Sequence, residues 1–532
     1  MRDKSMKIMF VAMGSEIISI SALSAVLKQR GHTVGLAFDR ALFDDKQYFS
    51  IPFLARLFDD RRQVIRDILE FRPDLLAFSV FADNYQWCLE VARAVRPALD
   101  VPVIMGGIHP TSVPEVCIAD PAVDILCVGE GDYALPELVE SMARGAMDTG
   151  IAGLWFKTRD GTIIRNPARR NIENLDELPY PDKELFAPFI PISHYYLTVT
   201  NKGCVAHCSF CSQNFYFNWE RDQGMGRFFR QRSVAHVIGE LKLAKTRHRA
   251  QRIDIKNNVL STSKRWTLEF LERYKQEVDL PFRIMGHPRT IDREIAQALK
   301  RAGCWHIQLG VQTLNETIRR DILERYESNA DIFAAVDAME EAGLHYSVDI
   351  MVGLPGEKNE EIEEALRYFS GKRNVIRASI FWLVYLPGVS ITKYALENRF
   401  IGGRELKSIN EGLHENYLST GMVNEKEVKE RLLNYQMLFR LMPMVPAGFI
   451  DWALRSRSYR IFKYLPQVPL IVVIDILVSI LRKDHWALYA MYSYYWELKR
   501  RVLRRFKGRR GGSGDQPLAI PSAPVLPAGG GR

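Results

Sequence analysis

"TNKGCVAHCSFCSQNF", residues 200–215, places Cys204, Cys208 and Cys211 in the spacing C-x3-C-x2-C. The chain has 7 cysteines in 532 residues, so this loop concentrates thiols that are otherwise sparse. Three thiolates from one loop can hold three irons of a 4Fe-4S cluster and leave the fourth iron without a protein ligand. The spacing therefore predicts a cluster that is open to a further ligand.

Two other interpretations of this loop compete with the cluster. A structural zinc site needs four ligands, and His207 is the candidate for the fourth, but adjacent positions in so tight a loop rarely point at one metal. A thioredoxin-like redox pair of Cys208 and Cys211 would leave Cys204 without a role. The remaining cysteines lie in apolar stretches and are predicted to be small core residues: Cys88, Cys117, Cys127 and Cys304.

Composition indicates a folded chain of several domains, because 47% of the residues are hydrophobic, 25% are charged and the length exceeds that of a single core. The first residues lack the charged-then-apolar pattern of a signal peptide, so we expect a cytoplasmic protein. The net charge of +9 is local, since residues 499–510, "KRRVLRRFKGRR", supply eight basic side chains and no acid. This run lies outside the predicted barrel, and the sequence shows no recognisable RNA-binding module, so no nucleic-acid partner is expected.

Alternation of apolar runs with helical patterns predicts an α/β fold in two parts. Residues 1–150 contain "KIMFVA", "TVGLAF", "PDLLAFSV", "VPVIMGG" and "VDILCVGEG", typical of buried strands of a doubly wound, Rossmann-like parallel sheet. Residues 151–190 are predicted to be a linker. Residues 191–400 contain about six strand–helix units, which predicts a partial (β/α)6 barrel. A helical region, 401–510, and a disordered tail, 511–532, complete the predicted organisation.

The cysteine loop resembles the signature of the radical SAM superfamily, with Phe210 before the third cysteine and an apolar strand before the loop. The resemblance implies that Cys204, Cys208 and Cys211 hold a 4Fe-4S cluster. It further implies that S-adenosyl-L-methionine (SAM) chelates the open iron and is cleaved to a 5′-deoxyadenosyl radical. An electron donor such as flavodoxin or ferredoxin is then required.

Further segments of the predicted barrel resemble the SAM-binding segments of this family. "GLPGE" and "LGVQTLNE" are the two that match, and the implied residues are Gly353, Pro355, Gly356 and Gln312. Relatives often carry Glu or Ser where Gln312 stands. "IDIKNN" carries Lys256, Asn257 and Asn258 where relatives carry paired acids. Three roles stay open for these residues, namely binding SAM, binding substrate and capping the strand end, and Asn257 is the SAM candidate among them. His287 and Arg289 also lie at a predicted strand end.

The N-terminal part resembles the cobalamin-binding domain that precedes the radical SAM domain in one subfamily. The resemblance is carried by "SALSAVLKQRGHTV", "PDLLAFSV", "VIMGGIHPTSVPE" and "VDILCVGEGDYALPELVE". It implies a crevice at the strand ends, because ligands of such sheets bind outside the carboxyl ends of the strands. The motif D-x-H-x-x-G is absent, so cobalamin without a histidine ligand is expected. The implied cobalamin-binding residues are Ser79, Gly106, Gly107, Thr111 and Gly129.

Together the two resemblances imply a cobalamin-dependent radical SAM enzyme of biosynthesis, acting on a small molecule that the sequence does not identify. C-methylation of an unactivated carbon is the leading hypothesis. A cyclase or oxidoreductase acting on a tetrapyrrole or lipid-like substrate without methyl transfer is the alternative. A non-catalytic cobalamin or redox sensor is a third interpretation, which the SAM-binding segments disfavour.

The C-terminal region permits two interpretations. Residues 468–481 form an apolar stretch that is too short to span a membrane, with Asp475, Ser479 and Arg482 on one narrow polar stripe. Aromatic residues and the basic run follow it, a combination that favours contact with the headgroups of an anionic membrane. The first interpretation is therefore peripheral contact with the inner face of the membrane, suited to a hydrophobic substrate. The second, favoured slightly, is a helical cap over the barrel.

Overall fold

A computed structural model describes residues 4–45, 49–413 and 426–508 of the chain. The predicted tail 511–532 and the end of the basic run lie outside the described residues. The first sheet has seven strands in the order β2-β1-β5-β6-β7-β8-β9, and its first five are parallel. The strands of this part of the chain, including the separate β3–β4 pair, are β1 Lys7–Met13, β2 Thr33–Asp39, β3 Asp44–Asp45, β4 Phe49–Ser50, β5 Leu75–Ser79, β6 Val103–Gly106, β7 Ile125–Cys127, β8 Leu154–Lys157 and β9 Ile163–Arg165.

The helices between these strands cover the parallel sheet, as the doubly wound prediction requires. Their apolar residues and those of the strands form two buried clusters, and one of these clusters continues into the second domain. The helices are α1 Ile18–Gln29, α2 Pro52–Leu57, α3 Arg61–Phe71, α4 Tyr85–Val95, α5 Ile108–Ser112, α6 Pro114–Ala119 and α7 Gly131–Ala143.

The first part of the predicted linker instead completes the first sheet. β8 pairs antiparallel with β7, and β9 pairs antiparallel with β8. A tight turn around Asp160–Gly161 joins them, and the amide of Gly161 donates to the carbonyl of Thr158. An Asp-Gly pair between two short apolar runs is a strong hairpin signal. The prediction of a linker from 151 was therefore wrong for residues 154–165.

The second domain contains the predicted partial barrel. Its six parallel strands lie in the order β10-β13-β14-β15-β16-β17, which is also their order along the chain. The strands, including the separate β11–β12 pair, are β10 Tyr196–Thr198, β11 Asn201–Lys202, β12 Arg230–Gln231, β13 Ile253–Ile255, β14 Phe282–Gly286, β15 Cys304–Gln312, β16 His345–Val352 and β17 Val375–Trp382. The helices are α8 Ser212–Asp222, α9 Val234–Thr246, α10 Lys264–Glu277, α11 Arg293–Ala302, α12 Asn329–Glu341 and α13 Asn359–Ser370.

The C-terminal region is helical, and its last helix closes the amino end of the barrel. The Trp486 ring lies 3.9 Å from the Arg283 guanidinium at the start of β14 and meets the Tyr195 ring edge-on at 5.5 Å. Asp484 pairs with Arg377 of β17 at 2.8 Å. These contacts are those of the cap that the sequence favoured. The helices are α14 Ser390–Glu397, α15 Gly403–Asn410, α16 Lys426–Leu441, α17 Ala447–Ser456, α18 Gln467–Leu481 and α19 His485–Gly508.

No helix in the described ranges is both long enough and apolar enough to cross a membrane.

The cap predicts a difference between two aromatic residues of α19. Trp486→Ala should lower the free energy of unfolding by about 3 kcal/mol, because it removes a large side chain packed on the barrel end. Tyr495→Ala on the same helix should change it by less than about 0.5 kcal/mol, since the Tyr495 side chain is exposed. Urea unfolding followed by circular dichroism measures both. Equal losses in the two variants would contradict the cap.

Candidate functional site

The cysteine loop follows β10 and lies at the carboxyl ends of the barrel strands, where the chemistry of such barrels is located. The loop opens at Gly203, which has φ +81°. A Cβ atom at this position would lie 2.3 Å from the carbonyl oxygen of Phe228, so only glycine fits. The loop closes on Cys211, which is the N-cap residue of α8 and whose amide donates to the carbonyl of Cys208 at 3.0 Å.

Neighbouring segments of the barrel hold the loop in place. The Ser209 amide donates to the carbonyl of Leu323 at 3.0 Å, and its hydroxyl donates to the carbonyl of Ile322 at 2.5 Å. Asn214 of α8 donates to the carbonyl of His207 at 2.9 Å and accepts from the Ser390 hydroxyl at 2.7 Å. The loop is therefore fixed by hydrogen bonds that do not use the thiols.

The donor set fits a cluster with one open iron. Cys204 and Cys208 are buried and Cys211 is half-buried, and burial raises the pKa of all three thiols, that of Cys208 to about 12. Within the described residues, no three His, Cys, Asp or Glu side chains are close enough to hold a single metal ion. A cluster does not need such a group, because each thiolate binds a different iron. The His207 ring, the fourth ligand of the zinc interpretation, stacks on the Phe217 ring with centroids 3.6 Å apart.

Arg325 is a component of this site that the sequence did not reveal. Its Nη1 lies 3.8 Å from the sulfur of Cys208, and its other nitrogen atoms donate to Glu327 at 2.6 Å and to the carbonyl of Gly310 at 2.9 Å. Arg325 and Glu327 are both buried. A fixed positive charge beside a cluster sulfur can change the reduction potential of the cluster, because net charge and hydrogen bonds to the sulfurs set that potential.

Gln312, a predicted SAM-binding residue, is the last residue of β15. Its Nε2 and the Arg325 guanidinium both border Gly310. It has φ +68°, a left-handed conformation that is uncommon for a residue with a side chain, and the register of β15 with β16 shifts between Gly310 and Gln312. Strained backbone of this kind clusters at ligand sites. The placement therefore supports a cofactor contact at Gln312.

Asn257 lies two residues after β13 and joins this strand to the cysteine loop. Its Oδ1 accepts from the Thr200 amide at 2.8 Å, whereas its buried Nδ2 has no hydrogen-bond partner among the described residues. A buried donor without a partner is costly, so a ligand group is a suitable partner for it. Asn258 and Lys256 are exposed. The side-chain Nδ2 of Asn258 lies 3.5 Å from the carbonyl oxygen of Gly203.

The "GLPGE" turn follows β16 and is held by its own glutamate. The Gly353 amide donates to Glu357 at 2.9 Å, and burial raises the pKa of Glu357 to about 8. Pro355 is buried and Gly356 is exposed, with open space beside it. Since Glu357 already uses the Gly353 amide, a SAM contact at this turn would need other atoms.

His287 follows β14 and extends the polar cluster around Arg325. Its Nε2 lies 3.5 Å from Glu327, and burial lowers the pKa of His287 to about 4. The neutral imidazole is therefore the form present at neutral pH. Arg289 lies in the turn that follows, and its backbone amide donates to His287 Nδ1 at 3.3 Å.

The predicted cobalamin crevice lies at the carboxyl ends of β5, β6 and β7. Ser79 pairs in register with Gly106, and the Thr111 hydroxyl donates to the carbonyl of Gly107 at 2.7 Å and accepts from the Gly129 amide at 3.1 Å. A Cβ atom on Gly107, which has φ +108°, would lie 2.7 Å from the carbonyl oxygen of Val80. Glycine is therefore required here for the chain's own close packing, at the strand ends where ligands of such sheets bind.

Helix α8 joins this crevice to the cysteine loop, a link that the sequence did not reveal. The helix begins at Cys211, and in its third turn the Trp219 ring lies 3.1 Å from the Cβ position of Gly129. A cavity of about 160 Å³ lies beside this contact, with Thr111, Val128 and Trp219 in its wall. The five predicted crevice residues are thus brought together, and one helix connects them to the cysteine loop.

Comparison with known families and proteins agrees with this arrangement. The Radical SAM superfamily model matches residues 198–369, and the B12 binding domain model matches residues 20–139. The chain is 26% identical to an uncharacterized methyltransferase, PH0819, of Pyrococcus horikoshii over 75% of this chain and 85% of that protein.

Two further similarities extend the comparison. The anaerobic magnesium-protoporphyrin IX monomethyl ester cyclase of Rubrivivax gelatinosus is 24% identical over 60% of this chain and 58% of its own length. The solved structure of TsrM, a radical S-adenosylmethionine methyltransferase from Kitasatospora setae with cobalamin and a [4Fe-4S] cluster bound, has a TM-score of 0.58 at 18% identity, covering 74% of this chain and 78% of that chain. That likeness supports the fold.

The close approach at Gly203 predicts that this glycine is required for cluster binding. Gly203→Ala should reduce bound iron to less than roughly half of the wild-type content after anaerobic reconstitution, because the added Cβ displaces the start of the loop. Gly161→Ala is the matched control, since Gly161 has φ +87° with open space around it. Iron and sulfide analysis measures the effect, and equal iron in both variants would contradict it.

Arg325 predicts a change in reduction potential. Arg325→Gln should lower the midpoint potential of the cluster by on the order of 50 mV, because it removes a positive charge beside Cys208. Arg325→Lys should retain most of the potential, and Arg320→Gln, at an exposed position of the same segment, should leave it unchanged. A redox titration followed by electron paramagnetic resonance measures it. A shift in Arg320→Gln as large as in Arg325→Gln would refute the assignment.

Proposed function

Since the chain belongs to the radical SAM superfamily and carries a B12 binding domain ahead of its radical SAM domain, we propose that it is a cobalamin-dependent C-methyltransferase acting on an unactivated carbon of a small biosynthetic intermediate. The observation that carries the proposal is helix α8, which begins at the cluster ligand Cys211 and reaches the crevice at Gly129. The substrate would lie between the barrel mouth and this crevice.

The cofactors supply chemistry that protein side chains lack. When bound, the cluster and SAM would supply a 5′-deoxyadenosyl radical for hydrogen abstraction from the substrate carbon, and methylcobalamin would supply the methyl group. A second SAM and electrons from a donor such as flavodoxin or ferredoxin would be needed to regenerate methylcobalamin.

The chain's own residues would bind and position these groups. Cys204, Cys208 and Cys211 would hold three irons, and Gln312 and Asn257 lie beside the loop, where they would contact SAM. The Gly353–Gly356 turn lies farther along the same strand ends and would border the SAM site.

The crevice residues would bind cobalamin mainly through backbone. Ser79, Gly106, Gly107, Thr111 and Gly129 form its edge. His109, adjacent to this edge, is buried with its ring 4.5 Å from the Tyr85 ring. That position supports cobalamin bound without a histidine ligand.

A cyclase without methyl transfer is the second candidate, and the similarity to the Rubrivivax gelatinosus cyclase favours it. The two activities differ in their products, because methyl transfer converts one SAM into S-adenosylhomocysteine and a cyclase forms none. The third interpretation, a sensor, would form neither S-adenosylhomocysteine nor 5′-deoxyadenosine.

A product analysis tests the proposal without a known substrate. Protein reconstituted anaerobically with iron, sulfide and hydroxocobalamin is incubated with SAM and a reductant, and S-adenosylhomocysteine, 5′-deoxyadenosine and the visible spectrum of methylcobalamin are followed. We expect all three products. 5′-Deoxyadenosine with neither S-adenosylhomocysteine nor methylcobalamin would replace the proposal with the cyclase, and the absence of all three would replace it with the sensor.

Three variants separate the two cofactor sites. Cys208→Ala should abolish 5′-deoxyadenosine but retain bound cobalamin. Gly107→Ala should weaken cobalamin binding at least tenfold, because its Cβ would clash with Val80, and should retain the cluster. Cys304→Ala, which removes a buried thiol outside both sites, should retain both cofactors. Loss of cobalamin in Cys208→Ala or of iron in Gly107→Ala would show that the sites were assigned wrongly.

A further inference from the structure

Helix α18 is turned with its apolar side outward. Its exposed side chains Val473, Ile476, Leu477, Ile480 and Leu481 are between 37% and 65% exposed. Their positions i, i+3, i+4, i+7 and i+8 form one stripe along the helix. On a helix that packs against a protein and faces water, this outer stripe is polar.

The polar residues of the same helix face the protein. Asp475 pairs with Arg440 of α16, and the buried Ser479 hydroxyl donates to the carbonyl of Asp475. Arg482 reaches the carbonyl of Pro443. The polar stripe seen in the sequence is therefore an inner one, and Ile474 and Val478 are buried beside it. Water contacts the apolar side.

Further apolar side chains are exposed in the chain that precedes α18. Phe449 and Trp452 of α17 are exposed, and their rings lie 5.6 Å apart. Ile461, Tyr464 and Leu465 follow in the turn that leads into α18, and Tyr464 is 76% exposed. Large apolar side chains exposed in this number within one segment favour an interaction site.

Charge decides what this surface contacts. Arg455, Arg457 and Arg460 are exposed within the same segment, and Lys483 is exposed just after its end. Its two acidic residues have partners, Asp451 with Arg367 and Asp475 with Arg440. The surface is thus apolar with a basic border and exposed Trp and Tyr side chains, the combination that favours the interface of an anionic membrane. A second copy of the chain would bring two basic borders together, which is unfavourable.

We propose that α17, α18 and the turn between them, here called the 447–481 surface, dock on an anionic lipid bilayer. The 15 residues of α18 are about 22 Å long, short of the roughly 30 Å hydrocarbon core, so the helix would lie in the plane of the interface. This surface differs from the aromatic and basic region of α19 that the sequence suggested, because Trp486 and Tyr489 of α19 contact Tyr195 of the barrel. The proposal depends on this surface and not on the chemistry proposed above.

Vesicle flotation of the full chain tests the proposal, with phosphatidylglycerol–phosphatidylcholine vesicles compared with vesicles of phosphatidylcholine alone. We expect binding to the anionic vesicles that weakens with added salt. The double variant Ile476→Glu/Ile480→Glu should bind at least tenfold more weakly. Leu243→Glu, at an exposed leucine of α9, is the matched control and should bind as wild type. Arg455→Gln/Arg460→Gln should reduce binding to the anionic vesicles and its dependence on salt.

Each other outcome overturns the proposal. Equal binding of the wild type and the Ile476→Glu/Ile480→Glu variant would show that the lipid contact lies elsewhere. A wild type that ignores vesicles but dimerises in sedimentation velocity, with dimers lost in that variant, would assign the surface to a second copy. A wild type that does neither would show that the surface is covered within the chain. Iron content, measured in every variant, confirms that the folded barrel is retained.

Discussion

Helix α8 is the constraint on which the arrangement of the two cofactor sites depends. Cys211 is its N-cap residue, and Trp219, eight residues after Cys211, packs on Gly129. A helix rises 1.5 Å per residue, so the axial distance from Cys211 to Trp219 is about 12 Å, and a rigid element sets the separation between the cysteine loop and the crevice. In the proposed reaction, a radical formed at the loop would have to reach its substrate before it is lost, and the substrate would then have to meet the methyl donor. The separation of the two sites follows from one helix length, whereas a flexible loop would leave it variable.

Buried and half-buried charges attach the start of the cysteine loop to the first domain. Lys202, just before Gly203, pairs with Asp132 at 2.7 Å, and Arg230 pairs with Glu130 at 2.8 Å. Burial alone would raise the pKa of Glu130, but Lys202 and Arg230 lower it below its usual value. Separating the domains here would leave charges without partners in a site with little water, which is costly. We therefore expect the two domains to keep a fixed relation at the loop.

Much of this site could be predicted from the sequence. The remainder could not, because it depends on tertiary packing and not on local motifs. The cysteines, Gly107 and Gln312 belong to local motifs, and apolar runs mark the strand ends that bring them together. Arg325 lies in the loop that follows a short π-helical segment, so no helix or strand periodicity in the sequence predicts that its side chain reaches Cys208. The contact of Trp219 with Gly129 joins two domains and depends on how they pack. The β8–β9 hairpin was predictable, since an Asp-Gly pair lies between its strands.

The polar stripe of α18 illustrates the limit of periodicity. Asp475, Ser479 and Arg482 lie on one side of the helix, as their spacing indicates, but spacing alone does not say which side faces water. Their partners Arg440 and Pro443 settle the orientation, because both lie in the part of the protein against which α18 packs. Arg482 also lies 3.3 Å from the carbonyl of Arg373, just before β17 begins. The end of α18 is thus near the amino end of β17, eight residues and about 26 Å from the end where the chemistry is located. A contact made by α18 would leave the barrel mouth open to its substrate.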